Sequence, residues 1–178
     1  KPKKGYKLVK TSFGKYEEIP EEWEVKKIND IIDFLGGFAF KSNEYSEKGK
    51  FVLRTLNIQK NGSISRENEI FIPQEKCDQY KKYELKEGDT IFVMVGATFG
   101  KIGYVSNDIL PALLNQNMWL LRPSKVNPKF FYYSFLVNSK DLLSIVHGTA
   151  RNFALREDCR KIKIPLPPPS EQKQIASI

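Results

Sequence analysis

The stretch Lys163-Ile164-Pro165-Leu166-Pro167-Pro168-Pro169-Ser170-Glu171-Gln172-Lys173-Gln174-Ile175-Ala176 carries two opposed structural instructions in a short span. Ile162, Ile164 and Leu166 alternate with Lys161, Lys163 and Pro165, the period of two expected of a strand. Pro167-Pro168-Pro169 cannot extend a hydrogen-bonded ladder, so the strand must stop there. Ser170 is then predicted to cap a new helix running toward Ile178. A strand therefore ends at the prolines and a helix begins after them.

Upstream of the prolines, helix and strand signals are mixed. Asn127-Pro128 places a capping amide before a proline suited to the first helical turn. Phe130, Phe131, Tyr133, Phe135, Leu136 and Val137 make the following helix apolar nearly all round, which predicts a buried one. A second helical run through Leu142, Leu143, Ile145 and Val146 ends at His147-Gly148. The centre is the most β-like part. Thr90 to Val95 reads as a buried strand, Gly96 to Val105 as a glycine-punctuated stretch, and Met118 to Leu121 as another strand. Phe51 to Ile58 alternates with period two, and Asn61-Gly62 is a hairpin turn signal. Glu69–Ile72 predicts a short strand, and Pro73 opens a short helix through Tyr80. Ile28, Ile31, Ile32 and Leu35 fall at helical spacings, so a short amphipathic helix is predicted there, stopped by Gly36-Gly37.

Composition bounds the function. The 178 residues are 40% hydrophobic and 12% aromatic. That is enough for a packed core. Twenty-nine Lys and Arg against 21 Asp and Glu leave +8. Such an excess favours a polyanion, nucleic acid first. Residues 1–16 hold six Lys and no acid, while 17–24 hold five Glu and no base, so 1–18 is expected to be a loosely held basic arm. No run of 18 apolar residues exists to span a membrane, and no apolar segment follows the basic N-terminus to form a signal peptide. Cys77 and Cys159 stand far apart without metal-type spacing, which predicts buried, reduced thiols and a cytoplasmic setting.

Catalytic motifs fail on their own demands. Gly96-Ala97-Thr98-Phe99-Gly100-Lys101 is one residue short of a P-loop, and Ile102 stands where a magnesium-binding hydroxyl is needed. An adenine methyltransferase needs a polar residue and an aromatic flanking its prolines, and Leu166-Pro167-Pro168-Pro169 has neither. Asp89 and Glu84 are carboxylates available to a metal nuclease, but Asp89 after Gly88 reads better as a turn residue. His147, the one histidine, would have to carry any triad or histidine metal site alone. No catalytic residue and no metal ligand is assigned. Basic and amide side chains suited to reading guanine and adenine do cluster, in Arg54 with Asn57, in Asn115-Gln116-Asn117 and in Arg151-Asn152.

The proline-rich stretch quoted above closely resembles the segment that closes a target recognition domain in the specificity subunits of type I restriction-modification systems. Other matching features occur in the same order: Ile19-Pro20-Glu21-Glu22-Trp23, Gly37-Phe38-Ala39-Phe40-Lys41-Ser42, Leu53-Arg54 through Asn57-Ile58, Gly88-Asp89-Thr90-Ile91, Gly96 to Gly103, Asn115-Gln116-Asn117 and Gly148-Thr149. The resemblance implies an α+β fold, a curved mostly antiparallel sheet with flanking helices, followed by the start of a long conserved spacer helix. It implies a basic arm over 1–18, a recognition domain over 19–166, and a proline hinge with the spacer over 167–178.

The function so implied is sequence-specific binding of double-stranded DNA by a non-catalytic component. Methyltransferase (modification) subunits using S-adenosylmethionine, and restriction subunits using ATP and magnesium, would do the chemistry in a prokaryotic cytoplasm. Lys41, Lys101 and Lys129 are the candidates for phosphate contacts, and Arg54, Asn57, Gln116, Arg151 and Asn152 for base contacts. Thr98 would add a hydroxyl, and Glu171, Gln172 and Ile175 on the spacer would meet the methyltransferase. A full subunit of this family carries two recognition domains and this chain holds one. It is therefore either an excised domain, which the missing initial Met favours, or a half-size subunit that pairs with itself. Two other readings stay open: an interaction module that docks a methyltransferase without reading DNA, and a recognition domain cut from a fused polypeptide.

Overall fold

Short β-branched and aromatic runs separated by glycine and proline build short strands. A computed structural model describes residues 1–147 and 153–177, apart from the side chains of Ile145 and His147. These described residues hold eleven strands and three α-helices. The fold is α+β and the strand pairs are mostly antiparallel, as expected, but the strands divide among four small sheets. The chain forms two units, one of Lys1–Ile32 with Pro123–Ile178, the other of Asp33–Arg122.

The first unit joins the two ends of the chain. β1 (Tyr6–Lys10) pairs antiparallel with β2 (Tyr16–Pro20), Lys7 opposite Ile19 and Val9 opposite Glu17. The first eighteen residues, expected as a loose arm, thus form most of a β-hairpin. β3 (Glu24–Lys27) pairs with β11 (Lys163–Leu166), so the strand read from the alternation of Ile162, Ile164 and Leu166 is present. α1 (Pro128–His147) is one continuous helix where two runs were predicted, and Asn138 to Asp141, though polar, do not break it. Phe130, Phe131, Phe135 and Leu142 are buried, while Tyr133 and Val137 face outward, so the helix is not buried all round. It packs against α2 (Arg156–Arg160), β11 and α3 (Pro169–Ala176). Pro168, and not Ser170, occupies the cap of α3, with Pro169 at the first helical position where its missing N–H costs nothing.

In the second unit, the helix expected at 28–35 is replaced by a 3-10 turn at Ile28–Asp30 in the first unit and a strand, β4 (Ile32–Gly36). β4, β10 (Met118–Pro123), β7 (Thr90–Val93) and β8 (Ile102–Tyr104) form a sheet in that order. β6 (Phe71–Ile72), β5 (Lys50–Leu53) and β9 (Ala112–Leu114) form the other, in which β5 and β9 run parallel. β5 stops at Leu53, and a 3-10 turn takes Thr55–Asn57. Gln74–Tyr83 winds as 3-10 turns behind Pro73, longer and tighter than the α-helix expected through Tyr80. Phe51, Leu53, Ile58, Ile91, Val93, Leu114 and Leu120 form the main core here, and a second cluster gathers Val52, Ile72, Cys77 and Leu113. Both cysteines are free and buried; burial pushes the Cys77 thiol up and that of Cys159 to about 12.

Candidate nucleic-acid interface

Parallel pairing decides where the loops go. Because β5 and β9 run the same way, with Leu53 opposite Leu114, Arg54 and Asn115 leave the sheet at the same end. Asn115 N–H donates to the Leu53 carbonyl at 3.0 Å. β7 and β10 are antiparallel with Val93 opposite Met118, so the end of one lies beside the start of the other. Met94 N–H donates to Asn117 O at 3.0 Å, and Gly37 N–H to Met118 O at 3.0 Å. A Cβ on Gly37 would collide with the Asn115 carbonyl oxygen, so only glycine fits there. Segments 37–41, 54–57, 94–101 and 115–117, read separately from the sequence, therefore converge at one edge of the second unit.

Their side chains divide into engaged and unengaged groups. Asn57 is 1% exposed: its Oδ1 accepts from Arg54 N–H at 3.0 Å and its Nδ2 donates to the Glu67 carbonyl at 3.0 Å. Both polar atoms of its amide are therefore occupied within the loop. A terminal nitrogen of Arg54 donates to the Asn68 carbonyl, and its buried Nε has no partner among the described residues. Lys101 Nζ donates to the Ile58 carbonyl at 2.7 Å, fastening the glycine stretch to the β5 side. Lys41 and Gln116 are exposed and Thr98 half-buried, and their side chains make no hydrogen bond among the described residues. The Tyr80 hydroxyl donates to Glu44 at 2.8 Å. This bond holds the Glu44 carboxyl below its usual range and steadies the turn after Lys41.

A charged brace lies at the other end of β7 and β10, where Thr90 is opposite Leu121. Asp89, 1% exposed, accepts from Arg122 Nε at 2.8 Å, Arg122 Nη2 at 2.7 Å and Lys86 N–H at 2.7 Å. The hydrogen bonds to Asp89 raise the Arg122 pKa against the opposing effect of burial. Glu84 is paired with Lys50. Both carboxylates considered for a nuclease are thus held by cations. Asp89 is more than a turn residue.

The remaining candidates lie elsewhere. Lys129 is exposed in the first turn of α1, in the first unit. Arg151 and Asn152 fall outside the described residues. The three partner-facing candidates sit on α3. Glu171 accepts from Trp23 Nε1 at 3.0 Å. Gln172 is buried; its Oε1 accepts from Asn127 N–H at 2.9 Å and its Nε2 donates to the Pro167 carbonyl at 2.8 Å. Ile175 lines a shallow groove with Trp23, Tyr133 and Val137. The Glu-Gln of the closing motif thus ties α3 to the entry Trp and to the N-cap of α1.

This entry-to-exit clasp and the loop convergence use the same residues that carry the family resemblance. The chain belongs to the type I restriction modification DNA specificity domain family. The family model matches residues 20–178. The chain is 32% identical over 174 residues to the MjaVIII specificity subunit of Methanocaldococcus jannaschii, covering 93% of this chain and 41% of that one. It is 26% identical to the EcoAI specificity subunit of Escherichia coli, covering 90% of this chain and 28% of that one. The HsdS subunit of Thermoanaerobacter tengcongensis matches in fold with a TM-score of 0.65 at 20% identity, over 90% of this chain and 37% of that one. The type I S subunit from M. genitalium matches at 0.62 and 18% identity, over 88% and 37%. This specificity-domain chain thus spans about two-fifths or less of these relatives.

The loop edge also holds two residues that are not among the candidate contacts. Asn117 has φ 67° and is exposed. It presents its amide from a left-handed turn that Asn tolerates better than most residues. Its place in an Asn-Gln-Asn run before a strand was a usable signal. Leu56 is 46% exposed between Arg54 and Asn57. Sequence alternation alone would have put it in the core.

Proposed function

We propose that the loop edge of the second unit reads part of a DNA sequence, and that this chain acts as a recognition module of a type I specificity subunit. The observation that carries the reading is the convergence of four loop segments with Gln116, Asn117 and Thr98 left unengaged. Amides in such a position can pair with adenine N6 and N7, and an exposed Leu56 can meet a thymine methyl group. Lys41 supplies a phosphate contact that fixes register, and Lys129 a second one from the first unit. Arg54, Asn57 and Lys101 shape the loops.

On this reading residues 19–166 are the recognition domain and 167–178 the start of the spacer. The chain chooses sequence and performs no catalysis. Methylation with S-adenosylmethionine falls to methyltransferase subunits, and ATP- and magnesium-dependent cleavage to restriction subunits, in a prokaryotic cytoplasm. Among the described residues no helix is long and apolar enough to cross a membrane. The test is selection of bound duplexes from a random library by the complex with the methyltransferase subunit. A short fixed sequence is expected; an intact complex that recovers no common sequence would overturn the reading and leave a docking module.

A further inference from the structure

The formal charge is lodged almost wholly in the first unit. It holds 17 Lys and Arg against 10 Asp and Glu, a net +7, whereas the second unit holds 12 against 11, a net +1. Much of that excess gathers in one place. An open cleft of about 560 Å³ is lined by Lys7, Val9, Lys10, Val25, Lys27, Asp30 and Lys163.

The cleft is built by backbone pairing. β11 sets Lys163 directly opposite Lys27 on β3. Directly opposed like charges are unfavourable in a sheet, so this pairing opposes folding. The Ser12 hydroxyl accepts from Lys163 N–H at 2.7 Å and donates to Lys163 O at 3.2 Å, drawing the end of β1 against β11. Lys163 Nζ reaches the Lys10 carbonyl at 3.5 Å and Lys7 Nζ the Glu21 carbonyl at 2.7 Å, and both of these acceptors are neutral. Lys10 and Lys27 have no ion pair among the described residues, and Asp30 is the single carboxylate in the lining. An adjoining depression is different: Arg160 pairs with Glu157 at 2.8 Å and Lys161 with Asp158 at 3.2 Å.

We propose that the Lys7–Lys10–Lys27–Lys163 cleft is a second DNA site, one that grips the duplex backbone without reading sequence. No Arg fork and no Asn or Gln amide lines it, so it has charge for phosphates and nothing for base edges. The partner chosen, duplex DNA, rests on the function proposed above. This cleft, and not the loop edge, carries most of the dependence of affinity on salt.

The test uses the whole chain, a random-sequence duplex and a salt titration. Lys27→Gln with Lys163→Gln should flatten the log–log slope by about 1.8, since each phosphate contact contributes about 0.9. Lys161→Gln, whose amine is already paired, should leave the slope unchanged. The double variant should melt no lower than the parent, because it removes a like-charge pair. Should it misfold, Lys27→Gln alone decides, with an expected change of about 0.9. An unchanged slope in either Lys27 variant overturns the site, and loss of methyltransferase capture with that unchanged slope would reassign the cleft to an acidic protein face. A parent chain without salt-dependent DNA binding overturns both proposals. A flattened slope in a chain that selects no sequence would support this site and defeat the reading function alone.

Discussion

The two units solve different problems with similar strands. In the second, a parallel pair and an antiparallel pair bring loops from four parts of the chain to one edge, at a net charge near neutral. In the first, the chain's two ends are laced together and the surplus lysines collect on the lacing strands. Sequence reading needs placed hydrogen-bonding groups; holding a polyanion needs only charge. On the two proposals above, the contrast separates specificity from affinity within one small chain.

The contrast breaks most severely if the Asp89–Arg122 brace of the second unit is cut. Asp89→Ala strands Arg122 half-buried. It should cost about 3 kcal/mol in urea unfolding of the chain, at the low end of the range for broken buried pairs because Arg122 keeps some solvent. A cost below about 1 kcal/mol would show that the brace does not support the second unit. Asn57→Ala orphans Arg54 N–H and the Glu67 carbonyl. By the same measurement it should cost about 2 kcal/mol, the penalty of leaving buried polar groups unpaired. Its neighbour at the same edge should behave oppositely. Gln116→Ala should change stability by less than about 0.5 kcal/mol, yet lose about 1–3 kcal/mol of discrimination between selected and mismatched duplexes.

In the first unit, Gln172→Ala takes the partner from Asn127 N–H and from the Pro167 carbonyl. It should cost about 1–2 kcal/mol in urea unfolding. The last effect is confined to high pH. The Cys159 thiol sits near 12 when folded and near 9 when exposed, so the unfolded chain releases its proton first. The stability from this thiol is complete below about pH 9 and falls as pH rises toward 12. Unfolding midpoints of Cys159→Ala should therefore decline less steeply than the parent's over that window.

Local chemistry was readable from the sequence, and long-range pairing was not. The proline hinge, β11, β7 and the Asn61-Gly62 turn followed from residues whose preferences are strong. Gly62 takes φ 85°, the left-handed conformation that such a turn asks of it. The misread segment at 28–35 shows the limit. Four apolar residues at helical spacing also suit a strand when hydrogen bonds to β10 decide the matter, and β10 lies some ninety residues away. The engagement of Asn57, a candidate for base contacts, was hidden for a related reason. A polar residue in a loop gives no local sign that its amide will be buried against Arg54 and Glu67. The parallel β5–β9 pair, on which the loop edge depends, joins residues sixty apart and leaves no trace in periodicity.

The most direct test of this division of labour is to repeat the duplex selection with two variants. One carries Gln116→Ala and Asn117→Ala, the other Lys27→Gln and Lys163→Gln. The account predicts that the first loses one or two positions of the selected sequence while keeping the parent's salt slope. The second should keep the sequence and lose slope. If the lysine variant alters the selected sequence, or the amide variant leaves every position intact, the separation of reading from holding is wrong.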